Sequence, residues 1–236
     1  MNNATLQLKL KQRLNKLDSQ DFDNIEPWQM IEAFNKAQVE WCRRNLHGGN
    51  MYKEGDEASK RRIDDMQILL REIPLTGTST ATYFQSNNFP DKDDYLEFKR
   101  VSSDATTECC PEPRSMTVYL AEEANVNLIL RDPLKKPSFE WGETFCTLIE
   151  TQLRIYREED FNIVNPVLTY YRRPTYIEVA GVIDPYTGIA PPTDVESEFK
   201  DDIVELFIDE AAAIIAGDIS NFGQQQLNQQ AAERSN

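Results

Sequence analysis

The chain has 236 residues, 40% of them hydrophobic, and a formal charge of −15 at pH 7. That length suits one domain, or one domain with an inserted subdomain, and supplies enough apolar material for a core. The acidity argues against tight nucleic-acid binding, which needs clustered Lys and Arg, and no apolar run approaches the ~20 residues that span a bilayer.

The opening MNNATLQLKLKQRL is polar and periodic rather than a signal peptide, so signal-dependent export is not expected. Leu6, Leu10, Leu14 and Leu17 recur at helical spacing with bases between them, which predicts a first helix over residues 4–17. Pro27 opens a second helix at a position proline favours, and Gly48-Gly49 stops it. Met30, Phe34, Ala37 and Trp41 mark its apolar face, and Arg43 and Arg44 fall in the last turn, where the helix dipole favours cations. A third helix is expected over residues 57–72, carrying Ile63, Met66, Leu69 and Leu70 and ending near Pro74.

From residue 76 to about 175 the composition changes to Thr, Tyr, Phe, Val and Ile punctuated by Pro, Asn and Asp, the composition of strands and turns. Candidate strands are 80–85, 96–101, 116–120 and 126–130, and a hairpin is expected to pair 147–157 with 163–173 across EEDFN. A loop, DPYTGIAPPT, leads to a last helix over residues 193–217, read from a Thr193–Glu196 capping box and a Gly217 cap. Its apolar face is Val195, Phe199, Ile203, Leu206, Phe207 and Ile214. A second face carries Glu198, Asp202, Glu205 and Asp209, one turn apart, where like charges repel. Residues 220–236 are rich in Gln and Asn and are expected to order only against a partner.

The expected class is therefore α+β: a helical bundle of three N-terminal helices and a C-terminal helix, with an inserted antiparallel β-rich subdomain. The organisation drawn from this is 1–75 N-terminal helices, 76–190 β-rich insertion, 191–219 acidic helix packing on the first three, and 220–236 tail. Through Pro74, twelve Lys and Arg balance twelve Asp and Glu, so the whole net charge lies beyond it. The two ends of the chain are thus suited to different surroundings.

Catalytic equipment is sparse. His47 is the one histidine and stands at a helix end, a poor setting for a base that a third group must fix. Cys42, Cys109, Cys110 and Cys146 contain no CxxC pair, so neither a zinc site nor a disulfide framework is expected. Asp91, Asp93 and Asp94 resemble a fragment of a calcium loop but lack its glycine and its bidentate glutamate. No phosphate-cradling GxxxxGK[ST] is present. Arg172-Arg173-Pro174 after two tyrosines could stack on nucleic acid, or form a salt-bridged rim. Trp28, Trp41 and Trp141 read as core or interface. No catalytic residue, cofactor or metal is expected, which shifts weight toward assembly.

Three segments, PWQMIEAFNKAQVEWCRRN, PSFEWGETFCTLIETQLRIYREEDFNI with VLTYYRRP, and VELFIDEAAAIIAGDISNF, resemble the ring-forming head-to-tail connector proteins of crAss-like tailed phages. More distantly they resemble the adaptors that dock under the portal in other tailed phages. The resemblance covers most of residues 25–222 and rests on aromatic and apolar phrases, not catalytic motifs. It implies a virion protein at the head–tail junction, made in the host cytoplasm and assembled as a closed ring of about a dozen copies. That ring would stack on the portal or on another neck ring, with DNA passing through the lumen unbound and no membrane involved. On that expectation Glu198, Asp202, Glu205 and Asp209 face the lumen and repel phosphate. Tyr170, Tyr171, Arg172, Arg173, Phe222 and Leu227 are candidates for contacts between subunits or rings. The alternatives are another virion component (tail tube, tail hub or capsid auxiliary protein) and, in a different class, a carboxylate-dependent hydrolase.

Overall fold

In the computed structural model, residues 1–14, 25–47, 64–109, 111–158 and 160–218 are described. They fall into two compact units: one from Leu69–Arg173, the other from the described residues of Met1–Ile68 and Pro174–Asn236.

In the first unit an eight-stranded mixed sheet forms in the order β1-β8-β4-β5-β6-β7-β3-β2. The strands are β1 (Leu70–Pro74), β2 (Gly77–Ser79), β3 (Tyr83–Ser86), β4 (Tyr95–Thr106), β5 (Arg114–Leu120), β6 (Glu143–Ile149), β7 (Gln152–Tyr156) and β8 (Asn162–Arg172). Neighbours are antiparallel except β5 and β6, which run parallel and are joined by a crossover carrying the short helix α3 (Val126–Arg131). A parallel pair cannot be closed by a tight turn, and this connection supplies the required length.

The two edge strands, β1 and β2, are separated in sequence only by Leu75 and Thr76. Three Cα–Cα steps of ~3.8 Å cannot span an open eight-stranded sheet, so the sheet must curl until its edges nearly meet. Asn88 clips this seam: its side-chain amide donates to Pro74 O at 2.9 Å and its Oδ1 accepts from Thr76 N at 2.7 Å. Gly77 is required here, because a Cβ would lie 2.0 Å from Gln85 O across the β2–β3 pair. The concave side is filled by Phe84, Val101, Ala105, Met116, Cys146, Leu153, Ile155, Phe161, Ile163, Leu168 and Tyr170. On the other face Phe145 and Tyr156 stack at 4.5 Å with Val126, Ile129 and Leu130 packed over them. Thus β6 is buried on both faces, which explains its run of buried residues where a one-sided strand would alternate.

Pro166 sits inside β8, a central strand, where a missing N–H ordinarily breaks the ladder. The register slips at this point: Ser102 pairs with Val167 but Asp104 with Val164. The extra residue lies at Asn165, whose φ is +49°, and forms a bulge. The bulge changes which parity faces inward, from Ile163 before it to Leu168 and Tyr170 after it. Pro166 O then accepts Leu75 N at 2.8 Å, so the residue that cannot donate still serves the seam.

In the second unit α1 (Asn3–Leu14) and α2 (Pro27–His47) pack on α4 (Asp201–Asp218). Leu6, Leu10 and Leu14 are the buried stripe of α1, at the spacing the sequence shows. Phe34 and Trp41 of α2 meet Phe199 and Phe207 in edge-to-face contacts with centroids 5.3–5.9 Å apart. Each such fully buried side chain contributes roughly 1.5–3 kcal/mol.

These findings overturn the expected class. The molecule is dominated by one curled mixed sheet accompanied by short helices; it is not a helical bundle carrying an antiparallel insertion. Of the third helix, expected over 57–72, residues 57–63 lie outside the described ones and 64–66 are helical; the chain then gives way to a 3-10 turn at Gln67–Leu69 and to strand β1, because the edge of β8 is open to pair with it. Residues 126–130 are helical, not a strand: short apolar runs carry no period that separates the two. The expected hairpin does not form. Thr147 pairs with Arg154 in a tight β6–β7 hairpin turning at Glu150 (φ 52°), while β8 pairs with β1 and β4. The last helix begins at Asp201, not at Thr193, because Val195 is held as a bridge to Glu178.

Candidate interaction surface

Helix α4 is nearly buried all round, and its acidic surplus is answered by bases elsewhere in the unit. Glu205 is paired with Lys9 and Arg13, Asp209 with Arg13 at 2.6 Å, and Glu210 with Arg44. Burial pushes the Glu210 carboxyl upward, partly offset by the Arg44 guanidinium. The four carboxylates expected to line a lumen do not form one bare stripe. Glu198 precedes the helix and accepts Thr175 N at 2.9 Å, and Glu205 and Asp209 face the bases of α1. Asp202 is exposed in the first turn.

Between the sheet and α4 the chain runs as a long strap, residues 174–200, fastened by side-chain amides. Asn35 exchanges two hydrogen bonds with Ile177, donating to its O at 3.2 Å and accepting its N at 2.9 Å. Gln38, one turn on and fully buried, donates to Thr175 O at 2.9 Å. Asn3 of α1 donates to both Glu178 O and Val195 O, bracing the bridge between the strap's two arms. The tip is itself a closed loop. Gly181 N donates to Pro191 O, Asp184 N to Ile189 O and Gly188 N to Asp184 O. The Asp184 carboxylate accepts Tyr186 N and the Thr187 hydroxyl, which hold its pKa down. This ordered tip holds Ile183, Tyr186 and Ile189 in solvent, with Tyr186 77% exposed and its ring edge-on to Trp28.

A second exposed apolar region lies on the β5–β6 crossover. Leu128 on the outer side of α3 is 67% exposed and Leu134, in the following turn, 69%. The turn is ordered by Lys135 N and Lys136 N donating to Asp132 O and by Tyr119 donating its hydroxyl to Lys135 O at 3.0 Å. Trp141, before β6, is also exposed. Nine of the twelve exposed large apolar side chains among the described residues fall in 119–141 or 176–189, so the exposure is not random scatter.

The contact residues expected from sequence fare differently. Tyr170 is 2% exposed, points into the sheet's concave side, stacks on Tyr95 and donates its hydroxyl to Asp94, so it cannot be a surface contact. Arg172 is buried, with Nη1 donating to Arg173 O, and Arg173 itself braces the Asp94–Tyr95 backbone. Tyr171 is half-buried beside Leu70 and Glu97. Phe222 and Leu227 lie outside the described residues. The strap tip and the crossover ledge went unread because their apolar residues sit in turn-rich, aperiodic sequence. Large apolar residues flanking Pro and Gly, as in VIDPYTGI, were the available signal.

Chemically reactive groups are placed for structure. Cys42 and Cys146 are buried, and burial raises each thiol to about 12. Asp94 of the acidic loop is taken up by Tyr170, and among the described residues no group of three or more potential ligands is placed to hold a metal ion. Among the described residues, no helix is long and apolar enough to cross a membrane. In comparisons with known proteins, no family model and no curated sequence matches this chain.

Proposed function

We propose that this chain is a structural assembly protein, and specifically a ring subunit of a phage neck that joins the portal to the tail and surrounds the DNA passage. The observation that carries the assembly reading is the concentration of exposed large apolar side chains on two internally hydrogen-bonded segments, the strap tip and the crossover ledge. Rigid, preorganised apolar projections lose little entropy on docking and are what recurrent protein–protein contacts use. The neck assignment rests on the resemblance of the three quoted segments. Passage of DNA without retention fits the overall charge of −15, although the α4 carboxylates, being paired locally, contribute less repulsion than their number suggests.

Electron microscopy of the purified chain, alone and mixed with a portal ring from the same genome, tests this reading. Closed rings stacked on the portal are the expected result. Absence of the chain from purified particles by mass spectrometry overturns it. A carboxylate-dependent hydrolase is not favoured: Glu210, a carboxyl with a raised pKa, is spent as the interhelical partner of Arg44.

A further inference from the structure

We infer that the corner between the strap tip and the start of α2 is a seat for an arginine side chain of a partner protein. The inference does not depend on the ring reading. Trp28 and Tyr186 meet there with ring centroids 6.4 Å apart and planes at 87°. A perpendicular pair leaves ring faces uncovered, unlike the stacked Phe145 and Tyr156. Tyr186 is 77% exposed and Trp28 is only half-buried, so ring surface is open to solvent. Glu32, one turn beyond Trp28 on α2, is exposed and accepts the Tyr186 hydroxyl at 3.5 Å. An aromatic face bordered by a carboxylate is a surrounding that attracts a cation.

In the sheet unit the chain fills such seats itself. Arg154 lies over Tyr83 at 5.0 Å while donating to Gln85, and Arg114 lies over Phe139 at 5.7 Å. Among the described residues no base is placed over Trp28 or Tyr186, and none pairs with Glu32. Residues 174–199 carry Glu178, Asp184, Asp194, Glu196 and Glu198 and no Lys or Arg, and Lys36, the first base of α2, is directed to Glu40. The complement of this corner is therefore cationic. A guanidinium suits it better than an ammonium, because its plane stacks on a ring while its N–H groups reach a carboxylate. Ile183 and Ile189, exposed on the same tip, offer apolar contact to the residues flanking such an arginine, which favours a protein segment over a free small cation. Exposed Glu178, Asp194 and Glu196 on the arms of the strap add attraction at longer range. One exposed seat binds weakly, in about the millimolar range, so tight docking takes several seats acting together.

The test is an NMR titration of the full chain, its tryptophan indoles labelled with 15N, with the capped peptide acetyl-Leu-Arg-Leu-amide and its uncharged citrulline counterpart. The expected result is a saturable shift of the Trp28 indole N–H with the arginine peptide, none with the citrulline peptide, and none at the exposed Trp141. Affinity should fall about threefold in Glu32→Gln and about fivefold in Tyr186→Ala, and stay within about twofold in Tyr186→Phe, which keeps the ring. It should also weaken as salt is raised. No shift at Trp28, an equal response to the citrulline peptide, an equal shift at Trp141, or affinity unchanged in both Glu32→Gln and Tyr186→Ala would each overturn the inference. Free arginine, whose own carboxylate is repelled by Glu32, should bind more weakly than the peptide; equal affinity would overturn the assignment to a protein segment.

Discussion

Arg13 Nε donates to Asp209 Oδ1 at 2.6 Å, joining the first helix to the last across 196 positions of sequence. The same guanidinium reaches Glu205 at 3.3 Å, so one base serves two carboxylates spaced a helical turn apart. That spacing was repulsive when α4 was considered alone; in the folded unit one guanidinium offsets both carboxylates. A double-mutant cycle of Arg13→Ala and Asp209→Ala should give a coupling of about 0.5–1 kcal/mol by urea denaturation. Because both side chains are partly exposed, the coupling should shrink in 1 M salt. Strict additivity of the two substitutions would show that the pair contributes nothing.

Glu210 has a folded pKa raised above its ordinary 4.5 by burial. An acid shifted upward binds more protons in the native state, so its contribution to stability declines as pH rises from 4.5 through the folded pKa. Glu210→Gln keeps an acceptor for Arg44 and removes this titration. The stability difference, variant minus parent, should therefore climb with pH across that window. A difference that is flat or falls with pH contradicts the assignment.

Thiol reactivity should divide sharply. Cys42 and Cys146, buried and raised to about 12, are expected to resist alkylation at pH 8 until denaturant is added. Cys109 is exposed and should label in the native protein. Peptide mapping after a timed iodoacetamide pulse reads all three, and native labelling of Cys146 would mean that the sheet interior opens.

Gly77→Ala should destabilise the sheet unit by about 1–3 kcal/mol or more, because its new Cβ meets the Gln85 carbonyl and not a side chain that can swing away. The measurement is chemical denaturation followed by aromatic fluorescence. A variant as stable as the parent would show that the β2–β3 pair is looser than its register implies.

Much of the local structure was legible. The Leu6–Leu10–Leu14 stripe and the Phe34–Trp41 face lie on helices and are buried as their spacing indicates. Strand-forming composition in the middle of the chain was equally readable, and β4 and β5 cover the expected positions. Partnership was not. The Thr193–Glu196 capping box was a sound local signal, yet Asn3, distant in sequence, holds Glu178 and Val195 together and keeps that stretch out of the helix. A free side chain in VLTYYRR reads as a rim residue, but the bulge at Asn165 turns Tyr170 inward.

The sequence by itself determined the periodicities, the acidic balance, the poverty of catalytic groups and the turn chemistry of the strap, because each depends on residues within a few positions of one another. Only the tertiary structure decided that β1 and β2 are opposite edges of one curled sheet, that α4's carboxylates meet Lys9, Arg13 and Arg44, and that the exposed apolar surface lies at 119–141 and 176–189. Strand pairing and charge neutralisation join residues far apart in the chain. Their free energy depends on which partners the fold brings within reach, a choice no local pattern encodes.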